Sequence, residues 1–135
     1  FRIVRIFKMG RYSAAFDMIM RVMTKRREQL LVTLTIVFVM LILASSLMYY
    51  VENSAQPEAF RSIPQTMWWG VATLTTVGYG DVYPITGLGK LLGAFIAILG
   101  VGIFALPAGI IASGFDAEIR RNEREEAANK DLDSD

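Results

Sequence analysis

LLVTLTIVFVMLILASSLMYYV, residues 30–51, is a run of 22 residues without a charge. About 20 apolar residues cross the hydrocarbon core of a bilayer as a helix. The stretch therefore reads as a spanning helix, relieved only by Thr33, Thr35, Ser45 and Ser46. Tyr49 and Tyr50 stand at its far end, where amphipathic rings settle at a membrane interface. A second uncharged run of 25 residues, LLGAFIAILGVGIFALPAGIIASGF, covers 91–115 and is long enough to span with tilt. Both runs lie too deep in the chain, and are too long, to be the apolar part of a signal peptide.

The charges sort around these runs. The chain has 135 residues, 53% hydrophobic, and a net charge of +1 that hides three unlike blocks. Residues 2–28 carry eight basic and two acidic side chains, 29–115 carry five charges in all, and 116–135 carry twelve in twenty. The long central block lacks the basic density of a nucleic-acid binder. The absence of cysteine and histidine removes disulfide frameworks, thiolate metal sites and the commonest general base. The chain opens at Phe1 inside a basic pattern, which reads as a segment of something longer.

Basic residues ahead of the first run, and Arg120, Arg121 and Arg124 after the second, put both termini in the cytoplasm by the positive-inside rule. The connection then faces outward. Between Arg61 and Lys90, however, its only charge is Asp81, and it carries Trp68, Trp69, Val71, Leu74 and Val77. That is too apolar for an outside loop, so it is expected to dip back into the membrane. Ser62 as cap and Pro64 in the first turn predict a short helix to about Thr75, ended by Gly78 and Gly80. Irregular backbone at membrane depth survives only when buried in protein or lining a watery path. The expectation is an all-α membrane protein with two spanning helices, a re-entrant helix and an irregular segment behind it.

Thr75 to Asp81 reads TTVGYGD. A dehydrated potassium ion needs a cage of oxygens, and backbone carbonyls can stack into rings only where the backbone alternates in hand. Gly78 and Gly80 permit the positive φ this requires. The run resembles the signature of potassium channels over its full length. The resemblance implies carbonyl rings from Thr76, Val77, Gly78 and Tyr79, with Gly80 completing the segment and the Thr76 hydroxyl adding the innermost ring. It implies four copies, since one strand cannot encircle an ion, and no cofactor beyond the permeant potassium itself. It also implies that Trp68 and Trp69 bond Asp81 and Tyr79 and brace the filter from behind. The other reading of these two rings is as ordinary interfacial aromatics. Ala72 stands where some members of the family carry Glu or Val.

Gly100 lies midway along the second run and Pro107 seven residues on, a cheap bend and a deleted hydrogen bond in one helix. They read as hinges of a gate, although glycine and proline are common in membrane helices, and Gly89-x-x-x-Gly93 is the spacing of a packing notch. The run around Pro107-Ala108-Gly109 is similar to the gate of one branch of voltage-gated potassium channels. Phe104, Ala108 and Ala112 share a helical face and are expected to line a cavity, with Ile111 or Phe115 closing its inner mouth by dewetting.

Arg2, Arg5, Lys8 and Arg11 recur every third residue, the pattern of a voltage-sensing helix or of a basic helix lying on an anionic leaflet. Ahead of such a pore the first is favoured. Residues 12–24 would then be a linker helix against the inner gate. The division expected is 1–28 sensor end and linker, 29–115 pore domain, and 116–135 a charged cytoplasmic extension that starts helical and then frays. The reading as a whole is a homotetrameric potassium channel pore in the cell membrane, of voltage-gated type, in contact with lipid and no nucleic acid. A channel gated by a cytoplasmic ligand such as a cyclic nucleotide, through a regulatory domain outside this segment, is the alternative. A non-conducting membrane assembly subunit is the alternative from another class.

Overall fold

The computed structural model describes residues 14–132. It contains three helices, α1 (Ala14–Glu52), α2 (Ile63–Leu74) and α3 (Gly87–Leu132), and no strand among the described residues. The sensor-like residues Arg2, Arg5, Lys8 and Arg11 lie outside the described residues.

α1 has 39 residues, or about 58 Å at 1.5 Å per residue, so it continues well past a spanning length. The segment from Ala14 to Glu28 is part of this same helix, whereas the sequence suggested a separate linker helix. Nothing between Thr24 and Leu30 is a glycine or proline that would break the hydrogen-bonded ladder. α3 likewise runs 46 residues, through Gly100 and Pro107 and far into the charged extension. α2 starts as its sequence dictates. Ser62 is extended at φ −152°, its hydroxyl accepts from the Gln65 N–H at 3.3 Å, and a proline follows in the first turn.

The described residues fall into two compact units. The first spans 32–107. Its core gathers Leu41, Ala44 and Met48 of α1, Phe60 of the connection, Trp69 and Leu74 of α2, and Ile96 of α3. Glycines let the helices close on one another here. A Cβ on Gly70 would meet Ser45 Oγ at 2.7 Å and Leu41 Cδ1 at 2.8 Å, and one on Gly100 would meet Leu74 Cδ2 at 2.7 Å. Gly100 is thus a point of close approach to the end of α2, and α3 passes through it without interruption. At Gly93 a Cβ would make only ordinary contacts, at 3.4–3.7 Å, with Pro84, Met48 and Trp69, so it is not the close-packing notch that the Gly89-x-x-x-Gly93 spacing suggested. Leu91, Phe95, Ile98 and Val101 on α3, and Leu31, Val32, Leu34 and Phe38 on α1, stay exposed in the single chain.

The second unit joins the first turns of α1, up to Leu31, to α3 from Ala108 on. Val22 is buried against Gly114, and the carboxylate of Glu118 is buried one turn further along α3.

Candidate functional site

After α2 the chain leaves helical structure at Thr75, whose N–H still bonds the Val71 carbonyl, and runs irregularly to Thr86. Within it Thr76, Gly78 and Gly80 have positive φ of 61°, 58° and 76°, while Val77 and Tyr79 do not. Hand therefore alternates residue by residue over 76–80. Positive φ was legible in advance for the two glycines and not for Thr76, a β-branched residue for which it is costly. A Cβ at Gly78 or Gly80 would meet nothing within 4 Å, so glycine is needed there for conformation and not for space. The segment is tied back to α2 by the Gly78 N–H, which donates to the Ala72 carbonyl at 3.0 Å.

Trp68 touches the segment at two points within the chain, by one hydrogen bond and one ring contact. Its indole N–H donates to Asp81 Oδ2 at 2.7 Å, and its ring lies parallel to Tyr79 with centroids 5.3 Å apart. Trp69 is placed differently from the expectation of a bond to Tyr79. It is buried and packs edge-on against Phe60, because helical spacing turns it about 100° away from Trp68 and into the core. Val77 and Tyr79 remain more than half exposed in the single chain.

Sequence reasoning passed over Glu52. The residue is fully buried. Its carboxylate accepts from the Thr86 hydroxyl at 2.6 Å, the Thr86 N–H at 3.0 Å, the Ile85 N–H at 3.1 Å and the Gln56 amide at 2.8 Å. Thr86 in turn caps α3, its hydroxyl accepting from the Gly89 N–H at 2.9 Å. A Cβ on Gly89 would overlap the Glu52 carboxylate. The end of α1, the return from the irregular segment and the start of α3 are thereby fastened at one point. The legible signal was an acid closing a 22-residue uncharged run, with a threonine cap ahead of Gly-x-Gly as its partner.

Along α3, Phe104 packs against the core cluster. Ala108 and Ala112 are exposed, as residues lining a cavity must be in an isolated chain. Ile111 and Phe115 are half-buried and share a face with buried Gly114 and Glu118, at the spacing i, i+3, i+4, i+7. That face meets the first turns of α1. Arg21 Nε donates to Glu118 Oε1 at 2.8 Å and Lys25 Nζ to Oε2 at 2.8 Å, and Arg121 stands 2.9 Å from Oε1. Glu118 lies beyond the apolar run that ends at Phe115. The hydrogen bond from Lys25 chiefly holds its carboxyl below the usual carboxylate range; Arg21 and Arg121 add to this, and burial opposes it.

Two helices, α1 and α3, are long and apolar enough to cross a membrane. The family model described as ion transport protein matches residues 1–123. A cyclic nucleotide-gated potassium channel of Mesorhizobium japonicum is 41% identical over 89% of this chain and 34% of its own length. Another cyclic nucleotide-gated potassium channel, from Rhizobium etli, is 40% identical over 87% of this chain and 33% of its own. The potassium voltage-gated channel subfamily KQT member 1 of Felis catus is 34% identical over 97% of this chain and 23% of its own. The chain spans about a third or less of the length of these curated relatives. With the match over 1–123, and with two apolar helices flanking α2 and the segment behind it, the chain is a membrane protein of the ion transport protein family.

Proposed function

We propose that four copies of this chain form a potassium-selective pore through the cell membrane, with both termini in the cytoplasm. The observation that carries the reading is the alternation of hand over Thr76, Val77, Gly78, Tyr79 and Gly80, with φ of 61°, 58° and 76° at the first, third and fifth. Such a backbone offers carbonyl oxygens as ligands for a dehydrated cation, and four copies complete the rings. Permeant potassium is held by those carbonyls and by the Thr76 hydroxyl. Trp68 and Asp81 keep the outer end of the segment in register. The exposed apolar surfaces of α1 and α3 are covered by lipid and by neighbouring copies. Ala108 and Ala112 line the inner cavity, and α3 around Pro107, Ile111 and Phe115 opens and closes it.

Gating by voltage is favoured by the Arg2, Arg5, Lys8, Arg11 pattern. Relatives named as cyclic nucleotide-gated support a second reading, in which a cytoplasmic domain of the full protein supplies the stimulus. Bilayer recordings under a potassium–sodium gradient test the proposal. A reversal potential near that of potassium is expected. Equal permeability, or no current from correctly assembled protein, overturns it, and the second of these results leaves a non-conducting assembly subunit.

A further inference from the structure

We propose that Glu123 and Glu126 of α3 form two acidic rings below the inner mouth of the pore and raise the supply of potassium from the cytoplasm, an inference that rests on the tetrameric, conducting reading above. α3 runs unbroken from Ala108 to Leu132, so the face that bears Ala108 and Ala112 continues past the apolar run at the helical period. Glu126 comes 18 residues after Ala108, five full turns, and stands in line with it. Glu123 comes 11 residues after Ala112, three turns and about 20° over. Arg120, Arg121 and Arg124 are turned about 80° or more away from both alanines. Four copies that line a cavity with Ala108 and Ala112 therefore carry these acids on the inner side and these bases off it.

The ion pairs of the extension sort the same way. Asp116 pairs with Arg120 at 3.3 Å, Glu118 with Arg21, Lys25 and Arg121, and Glu125 with Arg121 at 3.3 Å. Glu123 and Glu126 are exposed and have no ion partner among the described residues. Their charge is left to act on the solution. Lys130 shares the face one turn beyond Glu126 and opposes that ring, so Glu123, nearer the mouth, is the stronger of the two. Glu123 lies eight residues beyond Phe115, about 12 Å along the helix at 1.5 Å per residue. Unscreened reach near physiological ionic strength is about 8–10 Å, so the ring acts on ions as they enter and falls away before the filter. Like charges set around a narrow, low-dielectric entrance concentrate counter-ions there. The rings set how many cations arrive, and the segment 76–80 still decides which of them pass.

The test is single-channel recording of the full chain with Glu123→Gln and Glu126→Gln, and with Glu125→Gln as a control on another face of the same turn. At about 0.1 M internal potassium, where screening is weak, Glu123→Gln should lower the outward unitary current about 1.5- to 2-fold and Glu126→Gln by less. Inward current and reversal potential should stay at the parent values. At about 1 M, where the Debye length falls to about 3 Å, the difference should vanish. Glu123→Asp keeps the charge and should keep the current, and Glu125→Gln should match the parent at both concentrations. Unchanged outward current at low salt, a loss that persists at high salt, an equal loss from Glu125→Gln, or a moved reversal potential overturns the inference. If Glu123→Gln does not assemble, Glu126→Gln and Lys130→Gln decide the matter, the first by lowering and the second by raising outward current at low salt. A parent that passes no potassium current removes the conducting reading and this one together; a conducting parent whose variants match it removes only this one.

Discussion

Trp68 and Asp81, thirteen residues apart, are joined by an indole N–H to carboxylate bond of 2.7 Å, while the other side of the relationship, the flat contact of the same indole with Tyr79, keeps the segment between them from swinging free. Trp68→Phe retains an aromatic face for Tyr79 and deletes the donor. The outer end of the segment should lose roughly 1 kcal/mol of support. In recordings this should appear as several-fold faster loss of current during sustained opening, with the reversal potential unchanged.

Gly78→Ala tests conformation without crowding, since a Cβ there meets nothing within 4 Å. A φ of 58° costs an alanine about 1–2 kcal/mol in each copy. The expected result is loss of potassium selectivity or of tetramer assembly, read by reversal potential and by size-exclusion in detergent.

Glu52→Gln leaves a neutral amide facing donors from Thr86, Ile85 and Gln56. One of its two polar atoms is then a donor pointed at donors. Weakening these charge-assisted bonds in a buried network should destabilise the fold by about 2 kcal/mol, seen as a lower midpoint of thermal unfolding. Gly89→Ala, which drives a methyl into the same carboxylate, should do at least as much. Combined, the two changes should fall short of the sum, because they damage the same node.

Pro107 leaves the carbonyl of Ile103 without its usual helical donor. Pro107→Ala restores that bond and should stiffen α3, changing open probability several-fold while the reversal potential holds. A shifted reversal potential, or an unchanged open probability, would count against a hinge at this point.

Glu118 predicts a dependence on pH. Its folded carboxyl titrates below the ordinary value of 4.5, so the unfolded chain binds the proton more readily over the interval between the two. The stabilisation is complete above about pH 4.5 and is lost as pH falls through the lower, folded value. Thermal unfolding of the parent should therefore lose stability on acidification below that point, and Glu118→Gln should lose less.

How much of this was legible in the sequence follows from which interactions are local. The two long runs, the Ser62 cap with Pro64, and the glycines at 78 and 80 are each decided within a few residues, and each stands as read. Positive φ at Thr76 was not readable, because a β-branched side chain adopts it only when its neighbours impose it. The separate assignments of Trp68 and Trp69 required knowing which ring faces the core, a property of three packed helices. Glu52 and Glu118 looked like ordinary surface acids because their partners lie 34 and up to 97 residues away in sequence. Gly100 was read for its flexibility and is used for its lack of bulk against Leu74.

The alternation of hand from Thr76 to Gly80 has an electrical consequence. In an ordinary extended strand successive peptide dipoles oppose one another and nearly cancel across its width. Where handedness flips at each step they add, leaving one edge rich in oxygen and the other rich in N–H. Such a ribbon is polarised crosswise, and its donor edge cannot be left facing hydrocarbon. The Gly78 N–H, received by the Ala72 carbonyl, is one such donor provided for. That acceptor is one of the last carbonyls of α2, which the end of the helix leaves without an intrahelical donor, so where α2 stops decides whether the polarised edge has a partner there.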